Sequence, residues 1–254
     1  MAEEKYSRSQ LEAAREYLRR RLEDESSMRS DVESVLSTYI PLLVALLVRG
    51  TSQSDIEEVL DDLAADLIAD CEALSVDDHD GNRDALLLFL HQDIGGKTID
   101  DRIRERVRTL YDEVFTLVAV GLLLGLDPSS ITGSILSGLR DPWHNAMLEE
   151  FRDKVRKGEV VVPAGLDIDE RHYGQGVPVS SLVALTDITV YGVSASWGYN
   201  DWLDHKDVAT GYYVFRGSSY DCDECDSHVG YHPVSDESSL PLYHNHCKCY
   251  VVWV

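Results

Sequence analysis

The chain has 254 residues, 44% of them hydrophobic, enough to bury a sizeable core as one or two domains. Its 46 acidic residues outnumber 23 basic ones, and the resulting net charge of −23 argues against direct nucleic-acid binding, which needs a basic surface to displace counterions from phosphate. The polar start Met1-Ala2-Glu3-Glu4-Lys5 carries no secretory signal, and the apolar runs Tyr39 to Val48 and Val114 to Leu126 fall short of the roughly 20 residues that span a bilayer, so both are expected as buried helix segments of a soluble protein with no membrane partner.

The first 157 residues read as successive helices. Ser7 or Ser9 can cap a helix through Leu11, Ala14, Tyr17, Leu18 and Leu22, whose spacing is helical. The polar stretch Ser27–Ser30 is expected to open a second helix, Val32 to Val48, ended by Arg49-Gly50. Ser52 or Ser54 starts a third through Ile56, Val59, Leu60, Leu63 and Leu67 to Leu74. Ser75 to Arg83 reads as a polar loop. Its Asp residues resemble a calcium loop only faintly, because Leu88 stands where the bidentate Glu belongs. A short helix over Ala85 to His91 precedes Gly95-Gly96, and Thr98 or Asp100 begins what should be the longest helix, reaching Leu124. Asp127-Pro128 pairs a capping residue with a proline at the first helical position, and that helix should end at Gly138. Asp141-Pro142 is expected to start another, ending at Lys157-Gly158. Basic residues at Arg102, Arg104, Arg106 and Arg108, and at Arg152, Lys154, Arg156 and Lys157, are expected as solvated helix faces.

The texture changes at Glu159. Val160-Val161-Val162-Pro163 suggests an extended segment and Ala164 to Val179 is irregular. Ser180 or Ser181 then caps a helix to about Trp202. Tyr212-Tyr213-Val214-Phe215 and Tyr250-Val251-Val252-Trp253-Val254 are β-branched and aromatic, the composition of strands, and should pair antiparallel. The expected fold is therefore mainly α: a multi-helix region over 1–157, an irregular linker over 158–179, and a small α+β domain over 180–254 holding a short antiparallel β-hairpin and a zinc-knuckle-like Cys/His cluster.

That cluster is the chemistry of the chain. Four of its five cysteines fall in Cys222-x-x-Cys225 … His244-x-x-Cys247-x-Cys249, a spacing of thiolates and imidazole that a tetrahedral zinc ion selects. Cys222, Cys225 and His244 are the expected ligands and Cys247 the fourth, with Cys249 as the alternative. Residues two apart on a strand point to opposite faces, so Cys247 and Cys249 are not expected to reach one ion together. His228, His232 and His246 read as loop histidines, and Cys71 as buried helix packing. Reduced thiols sharing a metal suit a cytosolic setting.

Catalytic zinc patterns do not match. A deaminase needs His-x-Glu before Pro-Cys-x-x-Cys, whereas Asp221 precedes Cys222 and no His-x-Glu occurs. The His-Glu-x-x-His of metalloproteases is also absent, and neither a nucleophile motif nor a Gly-rich phosphate loop appears. No enzymatic activity is expected.

The C-terminal third nevertheless resembles a family. A helix with Ala184-Leu185-Thr186-Asp187-Ile188 is followed by Ser194-Ala195-Ser196-Trp197-Gly198-Tyr199-Asn200, a strand ending Arg216-Gly217, then Asp221-Cys222-Asp223-Glu224-Cys225, Gly230, and the close Pro241-Leu242-Tyr243-His244-Asn245-His246-Cys247-Lys248-Cys249. This order resembles the head-morphogenesis domain of tailed-phage minor head proteins related to protein F of phage Mu. Leu185 departs from a usual Arg, Asp187 from Glu, and His246 and Lys248 from Asn and Arg. The resemblance implies a structural, portal-associated component of a phage or prophage capsid, found in the virion and, during assembly, in the host cytoplasm. Portal or other capsid proteins would be its partners, with self-association compatible. The alternatives are a zinc-dependent nuclease of the His-Asn-His type, hinted at by Asp204-His205, and a cellular zinc-ribbon adaptor for another protein.

Overall fold

The structure, a computed structural model, describes residues 7–77, 80–93, 96–166, 168, 181–217, 221–241, 243 and 247–254. It is mainly helical with one small antiparallel sheet, as the sequence predicts. The first helix, α1, runs unbroken over Arg8–Arg49, and so replaces the two expected helices and is itself the longest, at 42 residues. The predicted break at Ser27–Ser30 fails because burial continues across it at helical spacing: Glu25, Met28, Val32, Leu36 and Ile40 are all buried. Pro41 lies inside α1 on its exposed side, and Gly50 ends the helix with a φ of 65° that favours glycine. The run from Tyr39 to Val48 is only partly buried. Ile40, Leu43 and Val44 face inward, while Leu42 is exposed. Across Leu11–Arg49 one 18-residue window has a mean hydropathy of 1.7, so by length and composition alone this helix could cross a membrane.

Helix α2 spans Gln53–Val76, two residues into the predicted loop, and starts where Ser52 accepts a hydrogen bond from the Asp55 amide (3.3 Å). The short α3 (Arg83–Leu90) precedes α4 (Ile99–Leu123), and α5 (Pro128–Leu136) opens with the Asp127 carboxylate accepting from the Ser129 and Ser130 amides. Helix α6 begins at Ala146, not at Asp141-Pro142, because Asn145 is the capping side chain, accepting from the Leu148 amide at 3.1 Å. Residues 160–163 belong to no strand, and most of the expected linker lies outside the described residues.

Helix α7 (Ser181–His205) leads into the sheet: β1 (Gly211–Phe215), then the one-turn α8 (Asp223–His228), β2 (Gly230–Pro233) and β3 (Tyr250–Trp253). The strand order is β2-β1-β3 and both pairings are antiparallel. The β1–β3 pair matches the expectation, with Tyr213 opposite Val252. The edge strand β2 was not expected, and its Pro233 is tolerated because at an edge the missing amide has no ladder to interrupt.

The described residues form two compact units, neither continuous in sequence. One comprises Met1–Ser30, Ile68–Asp100 and Asp187–Val254, the other Asp31–Leu67 and Asp101–Thr186. In the second unit, α1, α2 and α4 bury Leu36, Leu43, Leu63, Leu67, Ile103 and Leu110. There the Glu113 carboxylate accepts a hydrogen bond from the Ser181 amide (2.5 Å) and caps α7. In the first unit the sheet separates two apolar layers. Tyr212, Val214 and Val251 join Trp202 of α7 and the cysteines on one face, while Phe215, Tyr250 and Val252 pack with Ala14 and Leu18 of α1 on the other.

Candidate metal centre

Strands β1 and β3 alternate strictly, so the face carrying Tyr212, Val214 and Val251 is committed to a single buried cluster. The loops beside it supply that cluster with sulfur. Cys225 projects from the first turn of α8, and Cys247 and Cys249 from the segment leading into β3. All three are buried, and their sulfurs lie within 4.8 Å of one another. The Cys225 and Cys247 Sγ atoms are 3.9 Å apart, well beyond the roughly 2.05 Å of a disulfide. Three soft donors converging in an apolar setting can hold a metal ion.

The structure thus gathers Cys225, Cys247 and the alternative ligand Cys249. That Cys247 and Cys249 converge departs from the strand-alternation argument. Strand β3 begins only at Tyr250, and in the irregular segment before it residues two apart are free to face the same way. Cys222 stands at the N-cap of α8, half-buried, packs against the same apolar cluster and hydrogen-bonds to Cys225, but it lies outside the trio whose sulfurs are all within 4.8 Å of one another. His244 and His246 lie outside the described residues. His232 is engaged elsewhere, with Asp236 (3.1 Å) and the His228 carbonyl (2.7 Å), and His228 stacks on Tyr243. His205 stacks on Trp253 at 5.1 Å and meets the Asp201 carbonyl. Cys71 is fully buried in α2, as expected of a packing residue.

The electrostatics follow from burial. Desolvation, reinforced by the neighbouring Cys247, pushes the Cys225 thiol up to about 12. Its hydrogen bond to Cys247 and burial push Cys249 upward as well. With no cation among them such thiols stay protonated at neutral pH; a bound cation displaces the protons and makes them thiolates.

Three contacts that sequence reasoning missed hold the trio in place. Arg216, at the end of β1, donates to Asp226 in α8, the residue after Cys225. Next to it, Gly217 presses on the other half of the centre: a Cβ at this position would lie 1.9 Å from the Lys248 carbonyl oxygen. From α1, Arg21 donates to the Cys249 carbonyl at 2.8 Å. The pair Arg216-Gly217 was visible as a strand end, but nothing in a linear reading links Arg21 to a residue 228 positions away.

No profile of a known protein family, no curated protein and no solved structure matches the chain.

Proposed function

We propose that this chain is a minor head protein of the tailed-phage type, a structural and assembly component that associates with the portal, and that a zinc ion bound by its thiols clasps the C-terminal sheet. The observation that carries the reading is the burial of Cys225, Cys247 and Cys249 inside the apolar cluster of the sheet. Three buried sulfur donors set in an apolar cluster suit a structural ion. The chain order supports it too: α7, β1 followed by Arg216-Gly217, the cysteine pair, and the histidine–cysteine close before β3.

The residues fit zinc on their own terms. Zinc–sulfur bonds of about 2.3 Å in a tetrahedron give sulfur–sulfur edges of about 3.8 Å. The Cys225–Cys247 separation of 3.9 Å is that edge. Cys225, Cys247 and Cys249 would supply three thiolates, and Cys222 or His244 the fourth donor. Zinc would contribute folding free energy to a sheet of only three short strands.

Co-expression with a tailed-phage portal protein tests the assembly role: the chain should co-purify with the portal ring, and a chain that never does would sink that role. Metal analysis of the purified protein should return one zinc per chain, and a substoichiometric value would remove the clasp. Plasmid cleavage with added divalent metal, lost in His205→Ala, would instead establish the nuclease.

A further inference from the structure

The trio is reached from an unexpected direction. Arg21, on the N-terminal half of α1, is nearly buried, with 12% of its side chain exposed. Its Nη1 donates to the carbonyl of Cys249 at 2.8 Å and, at 3.4 Å, to that of Lys248. These carbonyls belong to the segment that carries two of the three thiols. The Arg21 Nε donates to Glu25 at 2.7 Å, and the Ser194 hydroxyl donates to the same carboxylate at 3.5 Å. The guanidinium is thus fixed on one side by a buried acid and spends its other donors on ligand-bearing backbone.

Nearby cations follow the same direction. The Lys248 ammonium lies 5.1 Å from the centre of the Tyr191 ring, and Arg29 donates to Asp187 and, at 3.4 Å, to the Tyr191 hydroxyl. A divalent ion with three thiolates and a neutral fourth donor carries a net charge of −1. In a chain of net charge −23 such an anionic centre needs local positive charge, and Arg21 supplies it at the backbone of the ligand segment.

We infer that Arg21 is a positioning residue of the metal centre: by holding the Lys248 and Cys249 carbonyls it fixes the Cys247–Cys249 segment for coordination and couples metal occupancy to the order of the N-terminal half of α1. The inference rests on the clasp proposed above. Partners that orient ligands in this way typically change metal affinity about 10- to 100-fold when removed. Coupling is reciprocal, so metal that tightens the segment also tightens the helix whose side chain holds it. Ala14 and Leu18 bring the same half-helix onto the opposite face of the sheet, which gives the coupling a second route.

The test uses the full chain. Zinc affinity is measured by competition with a chromophoric chelator, the thiolate-to-cobalt charge-transfer band by absorption, and hydrogen exchange over residues 8–30 with and without zinc. Arg21→Ala should weaken zinc about 10- to 100-fold, diminish the cobalt band and abolish the zinc-dependent protection of residues 8–30. Arg21→Lys, which keeps the charge but not the fork, should recover part of the affinity and decides the matter if Arg21→Ala fails to fold. Arg19→Ala, which removes an exposed arginine paired with Glu16 and Glu23, should leave all three readouts unchanged. Equal zinc affinity in wild type and both Arg21 variants would overturn the inference and leave the clasp standing. A wild-type chain that binds no zinc would overturn both.

Discussion

Gly217 has no room for a side chain. The atoms a methyl would meet, the carbonyl oxygen and carbon of Lys248 at 1.9 and 2.8 Å, are backbone and cannot rotate away. Gly217→Ala should therefore cost about 3 kcal/mol, the upper end of ordinary overpacking. Urea unfolding followed by the fluorescence of Trp202 and Trp253 reads this as a lower midpoint, accompanied by faster zinc loss to a chelator. An unchanged midpoint would mean that the Lys248 segment yields easily. Cys71 makes an opposite case, a residue that should do nothing. Burial raises its thiol from an ordinary 9.0 to about 12, so at pH 8 it holds about 1000-fold less thiolate than an ordinary exposed cysteine. Alkylation with iodoacetamide, mapped by mass spectrometry, should leave Cys71 unmodified in the folded chain while the half-buried Cys222 reacts first once a chelator is present; early labelling of Cys71 would show that α2 opens. The thiols were legible in the sequence because cysteine is scarce here and four of five fall within one short stretch. What surrounds them was not: Arg21 is a surface-type residue on a strongly charged helix, and only the fold turns it toward Cys249.

Helix starts were legible wherever a side chain caps them locally. Asp127 before Pro128 is such a start, and the structure keeps it. Hydrogen bonds from the Ser130 hydroxyl, then from the Ser130 and Ser129 amides, hold the Asp127 carboxyl below its ordinary value. A lowered pKa means that the cap's contribution is complete above the ordinary aspartate range and is lost as pH falls through the lower folded value. Asp127→Asn should flatten this acid limb in melting curves recorded against pH, and a limb identical to wild type would assign the loss to other carboxylates. Asn145 shows the limit of the same logic. Asp141-Pro142 carries the stronger signal, but the buried Asn145 accepts from the Leu148 amide and also bonds Ser134, and tertiary packing decides. Asn145→Ala should cost about 1 kcal/mol and lower the melting temperature, because Asn145 is the cap of α6. The break expected in α1 has the same cause. Three polar residues of Ser27–Ser30, around Met28, look like a break in one dimension, yet Met28 is buried and the helix runs on to keep it so. β2 was hidden for the opposite reason, since an edge strand of four residues needs only one good neighbour, and β1 provides it.

At the scale of the molecule the net charge of −23 sets two terms against each other. Local pairs such as Arg8 with Glu12 and Lys154 with Glu150 attract, but both lie on exposed helix faces where such pairs are worth little. The general repulsion among 46 acidic side chains opposed by only 23 basic ones acts over a screening length of about 10 Å at 0.1 M salt, and it shortens as salt is added. Because the repulsion involves every acidic side chain while exposed pairs are individually worth little, the balance favours screening. The melting temperature should therefore rise as sodium chloride goes from about 0.02 to about 0.3 M, and a fall would show that the local pairs dominate. Association with a partner should respond in the other direction. A surface this acidic is recognised by basic residues, and screening weakens that attraction while it stabilises the free chain. If the proposed portal partner binds through charge, its complex should loosen over the same salt range in which the isolated chain melts later. Equal salt responses of complex and free chain would place the contact on apolar side chains, of which Leu42, Phe115 and Trp143 are exposed.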